Sequence, residues 1–132
     1  MLGWLLLIVV VGAMLYFRLA PTEPSKWHQP VEATQNEDRE GGAIRVIKAD
    51  AATLERIDET ARALPRTTPV AGSVDDGRIT YMTRSFVFGF PDFTTVELRD
   101  GEIRMHARLR FGRSDFGVNR ARLEKLVAAA QR

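Results

Sequence analysis

Between Glu102 and Phe111 the chain alternates without a break. Ile103, Met105, Ala107, Leu109 and Phe111 are apolar, and Glu102, Arg104, His106, Arg108 and Arg110 are polar. A period of two sustained over such a stretch fits a β-strand with one face on a core and the other in water. The residues just before it carry the same period in mirror order. With Asp100-Gly101 as a two-residue turn, Leu98 faces Ile103 and Val96 faces Met105 on the inner side. On the outer side Arg99 faces Glu102 and Glu97 faces Arg104. Turn chemistry, alternation and charge agree on one register, so this hairpin is the frame around which the rest must fold.

After the strand the period changes. Phe116, Leu123, Leu126, Val127 and Ala130 recur at helical spacing, predicting a C-terminal helix. Gly112 permits the turn into it, and Ser114 or Asp115 can accept a bond from an orphan N–H of its first turn. Asn119 falls on the inward stripe with Leu123 and Leu126. A buried amide left unpaired costs about 1–3 kcal/mol, so Asn119 needs a fixed partner, and the loop Arg113–Asp115 is the nearest one.

Upstream, Ile44–Ala49 reads as a strand, and Asp50 caps a helix whose inward stripe is Leu54, Ile57, Ala61 and Leu64, stopped by Pro65. Thr67–Val74 and Arg78–Ser85 form a hairpin around Asp75-Asp76-Gly77, with Pro69 placing its first strand at an edge. The sum is an α+β domain over residues 43–132. It is a two-layer βαββββα chain, an antiparallel sheet with both helices on one face.

Residues 2–17 carry no charge. With Leu19, Ala20 and a snorkelling Arg18 they supply roughly 28 Å of helix against a hydrocarbon core of ~30 Å. Residues 1–20 therefore read as one N-terminal transmembrane anchor. A cleaved secretory signal would call for a basic n-region and a small-x-small cleavage site, and neither is evident. Arg18 and Lys26 follow the span, which leaves the side of the soluble domain open. Residues 21–42 read as a linker, with Pro21, Pro24, Pro30, a polar run Thr34–Glu40 and the Gly41-Gly42 break. Within it Trp27 suits the headgroup region or the domain's edge. His28 has no second His or carboxylate at ligand spacing.

The run Arg113-Ser114-Asp115-Phe116-Gly117-Val118-Asn119-Arg120, followed by Arg122 and Leu123, resembles the C-terminal signature of the bacterial domain-of-unknown-function family 1499. Thr83-Arg84-Ser85 and Phe88-Gly89-Phe90-Pro91-Asp92 resemble that family's second block. The likeness runs over about residues 43–130. That family usually places two adjacent acids in the second block, where this chain has Asp92-Phe93. The resemblance implies a bacterial protein and no particular activity, and the N-terminal span makes it a single-pass protein of the inner membrane.

Chemistry is weighed on few residues. There are no cysteines, which excludes disulfides and thiolate sites, and 19 Lys+Arg against 17 Asp+Glu leaves only +2, too little to argue for nucleic acid. No phosphate-binding Gly-rich loop, HExxH or Gly-x-Ser-x-Gly occurs, and no metal or cofactor is expected. Three candidate sites stand out. One is the joint Arg113, Ser114, Asp115, Asn119 and Arg120. Another is the basic face Arg104, Arg108 and Arg110, where Arg104 is paired with Glu97 and the others are free. The third is the run from Phe86 to Phe93, read as a core wedge under the helices. Its alternative is an apolar lip made by Phe86, Phe88, Phe90 and Asp92. The expected function is a membrane-anchored binding or scaffolding domain for a protein or an anionic lipid. The alternatives are a carrier of an apolar ligand or an enzyme at the membrane surface, the latter requiring Asp92, Asp115 and His106 to converge.

Overall fold

The computed structural model describes residues 1–132. An apolar helix α1 (Leu2–Leu19) and a single helical turn α2 (Pro24–Trp27) lead into strands β1 (Glu37–Arg39) and β2 (Gly42–Lys48). Helix α3 (Ala51–Ala63) follows, then strands β3 (Thr67–Ser73), β4 (Arg78–Arg84), β5 (Pro91–Arg99) and β6 (Glu102–Leu109), and finally helix α4 (Val118–Ala130). The strands make one sheet in the order β1-β2-β6-β5-β4-β3, every neighbouring pair antiparallel. The fold class is the expected α+β one, with a short additional strand, β1, at one edge.

The expected hairpin is present residue for residue: Arg99 opposes Glu102, Leu98 opposes Ile103, Glu97 opposes Arg104 and Val96 opposes Met105. Asp100 and Gly101 sit at φ 54° and 76°. This left-handed pair gives the turn a twist that matches the strands, and Asp-Gly adopts it readily. The Asp50 carboxylate caps α3 by accepting from the Thr53 N–H at 2.9 Å. β3 is an edge strand, as Pro69 requires, and its register shifts at Pro69.

Both long helices of the domain pack on one face. Leu54, Ile57 and Ala61 of α3 and Leu123 and Leu126 of α4 close over Ile79, Tyr81, Val96, Ile103, Met105 and Ala107 of the sheet. Burying each of the larger side chains contributes about 1.5–3 kcal/mol, which makes this layer the main source of stability. α1 takes no part in it: none of its residues is buried, and its mean hydropathy of 2.2 meets the length and composition of a membrane span or a signal sequence.

The other face of the sheet is not the open, wet surface that the alternation suggests. Residues 24–36, expected as linker, cross it as a strap. Trp27 lies flat on Phe93, ring centres 4.2 Å apart and planes 12° from parallel. His28 Nδ1 and Thr80 Oγ1 are 2.8 Å apart. The Val31 N–H donates to Glu97 Oε1 at 3.2 Å, and the Val46 N–H donates to Asn36 Oδ1 at 2.8 Å. The strap's own backbone is thus held by strand side chains, which substitute for the ladder bonds it lacks.

Two apolar expectations change for the same local reason. Of the run from Phe86 to Phe93 only Phe93 is core, and it is sealed by the strap rather than by the helices. Phe86, Val87 and Phe88 are exposed, Phe86 at 77%, because β4 ends at Arg84 and β5 starts at Pro91, leaving the rings on a loop. Phe116, expected on the inward stripe of the last helix, is 95% exposed because α4 begins only at Val118.

Candidate functional site

The joint between β6 and α4 is built on one carboxylate. Asp115 Oδ1 accepts from the Gly117 N–H at 2.9 Å and Oδ2 from the Asn119 N–H at 3.0 Å. Ser114 Oγ accepts from the Phe116 N–H at 3.3 Å. Both expected residues thus serve donors at the helix entry. Asn119 is fully buried, as its stripe position requires. Its side chain turns away from the Arg113–Asp115 loop, however, because both Asp115 oxygens are taken by backbone N–H groups. Instead Asn119 Nδ2 donates to Asp92 Oδ2 at 3.2 Å, and its Oδ1 accepts from Arg122 Nη1. Arg122 Nη1 also lies 3.7 Å from Asp92 Oδ2. Asp92, at the start of β5, faces the helices and closes a triangle of carboxylate, amide and guanidinium.

Burial pushes the Asp92 carboxyl up, opposed mainly by Arg122 and the Asn119 bond. Burial also pulls Arg122 down, opposed by Asp92 and Asp115. Neither charge is comfortable without the other. Beside the triangle lies an open groove of about 410 Å³, with Phe90, Leu109, Phe111 and Phe116 on its apolar sides and Asp92 and Asp115 among its polar lining.

His106 is absent from this site. It points to the strap face, opposite Ile44 and Thr95 in register, whereas Asp92 points to the helices. Asp92 and Asp115 meet, and the third member of the expected constellation lies across the sheet. Burial, with repulsion from Arg108 and then Arg39 and against the pull of Glu37, pushes His106 down to about 4. Its neutral form is therefore the one that folds. That contribution is complete above about pH 6.5 and is lost as pH falls toward 4, on the order of 2–3 kcal/mol in all. Denaturation midpoints at pH 7 and 4.5 should fall further apart in the parent than in His106→Gln. Equal pH dependence in the two would show that His106 is solvated.

The basic face is largely tied down. Arg108 Nη1 donates to Thr95 Oγ1 at 2.9 Å, its Nη2 donates to the Trp27 carbonyl, and its guanidinium lies 5.3 Å from the Trp27 ring centre. Burial brings Arg108 down to about 10. It is the strap's clamp, not a free cation. Glu97 pairs with Arg78 at 2.7 Å and Arg99 at 3.4 Å rather than with Arg104, which is left reaching the Val31 carbonyl at 3.5 Å. Flanking arginines of β4 and β5 reach the buried carboxylate more directly than its register partner does. Arg113 is exposed, and Arg120 lies 3.9 Å from Asp38.

Another cluster surrounds the end of α1. Arg84 Nη1 donates to the Phe17 carbonyl at 3.2 Å and to the Gly89 carbonyl at 2.9 Å. Arg110 Nη2 donates to the Pro21 carbonyl at 2.9 Å, and Arg18 Nη2 to the Val87 carbonyl at 3.3 Å. Phe17 packs edge-on against Phe90 and Phe111, at 4.4 and 4.8 Å. Gly89 sits at φ 73°, a conformation that L side chains rarely adopt, and it packs against the Arg18 side chain. No carboxylate pairs with any of the three arginines, and burial together with Arg18 and Arg110 lowers Arg84.

The residues at this end of the domain are also those that carry the sequence signature. A family model described as protein of unknown function (DUF1499) matches residues 18–129. The chain belongs to the DUF1499 family. No curated protein matches it. The matched span starts before the strap and includes it. Within that unit the joint and the Thr83-Arg84-Ser85 block approach each other around Phe90 and Asp92. Sequence reasoning left Arg18, Arg84 and Arg122 out of the candidate site. Arg122 follows Asn119 by three residues, a helical spacing that would have paired them. Nothing local announces the meeting of Arg18 with Arg84.

Proposed function

We propose that this DUF1499 protein is a membrane-anchored binding module that docks the loop end of its domain on an anionic bilayer surface. The observation that carries the reading is the set of Arg18, Arg84 and Arg110, gathered where the apolar helix leaves the domain and bonded to backbone carbonyls without a carboxylate. Lipid phosphates are the anions available at that depth, and each basic contact is worth about 1 kcal/mol at low screening. The exposed Phe86, Val87 and Phe88 stand on the same loop as Gly89, beside Arg18, where aromatic rings favour the interface.

The chain has no cysteine, so a single nitroxide can be placed at will. In full-length protein reconstituted into anionic vesicles, a label at Phe86→Cys should be open to oxygen and shielded from an aqueous nickel chelate. A label at Asp100→Cys, on the turn at the other end of the β-strands, should show the opposite. Equal chelate access at both positions would sink the docking idea.

A further inference from the structure

Beside the buried triangle is a cavity of about 260 Å³ bounded by Leu64 and Pro65 after α3, by Thr83 of β4, and by Val118 and Ala121 of α4. Its charged lining is Arg66, Arg122 and Lys125, and no acid lines it. Arg66 and Lys125 have no carboxylate within ion-pair distance, and the one near Arg122, Asp92 at 3.7 Å, is shared with Asn119. Arg66 is also fixed in place. Its backbone carbonyl accepts from the Arg84 N–H at 3.0 Å, and its Nε donates to the Arg84 carbonyl at 3.0 Å, which leaves the outer guanidinium N–H groups unused. Two forks and one ammonium around an empty volume repel one another until an anion enters.

We propose that this cavity binds a phosphate monoester group, with Arg66 and Lys125 as its arms and Arg122 as its floor. A doubly charged tetrahedral oxyanion answers three cations better than a single carboxylate or a singly charged diester does. A phosphate fills only part of this volume, which leaves room for part of what carries it. The source is either a soluble ester or the monoester headgroup of a lipid such as phosphatidic acid, since Arg66 also lies 5.4 Å from the Phe86 ring centre at the loop end. This site uses none of the three arginines around α1, and it stands whether or not the domain docks on a bilayer.

The test uses the full chain. In neutral detergent micelles, with potassium chloride holding ionic strength constant, inorganic phosphate is titrated by calorimetry. Lys125 is exposed on α4, and Lys125→Gln should bind about tenfold more weakly while Lys125→Arg restores binding. That result assigns a soluble ester. In the second arm the chain is recovered from mixed bilayers, and its retained phosphatidic acid and phosphatidylglycerol are compared by native mass spectrometry. Preference for the monoester lipid that is lost in Lys125→Gln, without inorganic phosphate binding, assigns the lipid. Absence of both, or either one unchanged in Lys125→Gln, overturns the proposal.

Discussion

A chain shortened to begin at Gly42 is expected to lose several kcal/mol of stability, whereas one that begins at Pro21 gives up the Phe17 packing and the Arg18 and Arg84 bonds at the end of α1 and should lose much less. The difference is the strap together with β1, which a start at Gly42 also removes. Without residues 24–36, Phe93 loses the Trp27 ring stacked on it, and buried Glu97 loses the Val31 N–H. Arg108 keeps a half-buried charge but loses the Trp27 carbonyl and the ring beneath it. Arg45, itself buried, loses Asp38 of β1 at 2.8 Å and keeps Glu124 and the Ile44 carbonyl. Unpaired buried polar groups cost about 1–3 kcal/mol each and a large aromatic truncated in a packed site about 3–5, so Trp27→Ala alone, half-buried, should cost about 2–4 kcal/mol. Urea denaturation of the two shortened chains and of Trp27→Ala measures this. Identical midpoints for the two shortened chains would show that the strap rests on the fold without supporting it.

Asp92→Ala is expected to be the most damaging single change, about 3–5 kcal/mol, because it strands the Arg122 guanidinium in a buried place. Asn119→Leu should cost about 1–3 kcal/mol, since it deprives both Asp92 and Arg122 of a hydrogen bond. Asp115→Ala should cost about 0.5–2 kcal/mol, the range of a lost helix cap. Asp92 and Asn119 touch, so their combined effect should fall short of the sum, and a double-mutant cycle on denaturation midpoints reads that coupling. Should Asn119→Leu and Asp115→Ala melt like the parent while the Phe86 label loses its immersion, the joint is a binding site rather than a structural one.

The candidate site was legible in halves. Asp115 as an acceptor for N–H groups at the helix entry and Asn119 as a buried amide both follow from position along one element, although the N-cap itself is Gly117. Asp115 sits just ahead of a helix, and Asn119 lies a turn before Leu123 on the same stripe. What Asn119 bonds to does not follow. The nearest polar groups in sequence were those of the Arg113–Asp115 loop, but the Asp115 carboxylate is engaged by the Gly117 and Asn119 N–H groups. Its actual partner Asp92 stands on another strand. The same holds for Glu97, whose register opposite Arg104 was read correctly and whose ion pairs still went to Arg78 and Arg99. Register fixes which Cα atoms face each other, and long side chains then choose among every neighbour within reach.

The sequence by itself determined the longer elements and the pairing within the two hairpins. The β5–β6 turn and its register, the start of α3, and the inward stripes of Leu54, Ile57 and Ala61 and of Asn119, Leu123 and Leu126 are set by contacts along one element or across one hairpin. A local pattern records those contacts completely. Only the tertiary structure decided what covers the second face of the sheet. Alternation says that Arg104, His106 and Arg108 leave the core side. It cannot say whether water or another stretch of chain lies above them. The strap that lies there has no period of its own, because its backbone is held one group at a time by Glu97, Arg99, Arg108 and Thr95. The gathering of Arg18, Arg84 and Arg110 was likewise decided at that level, since residues so far apart in the chain meet only after the sheet has formed.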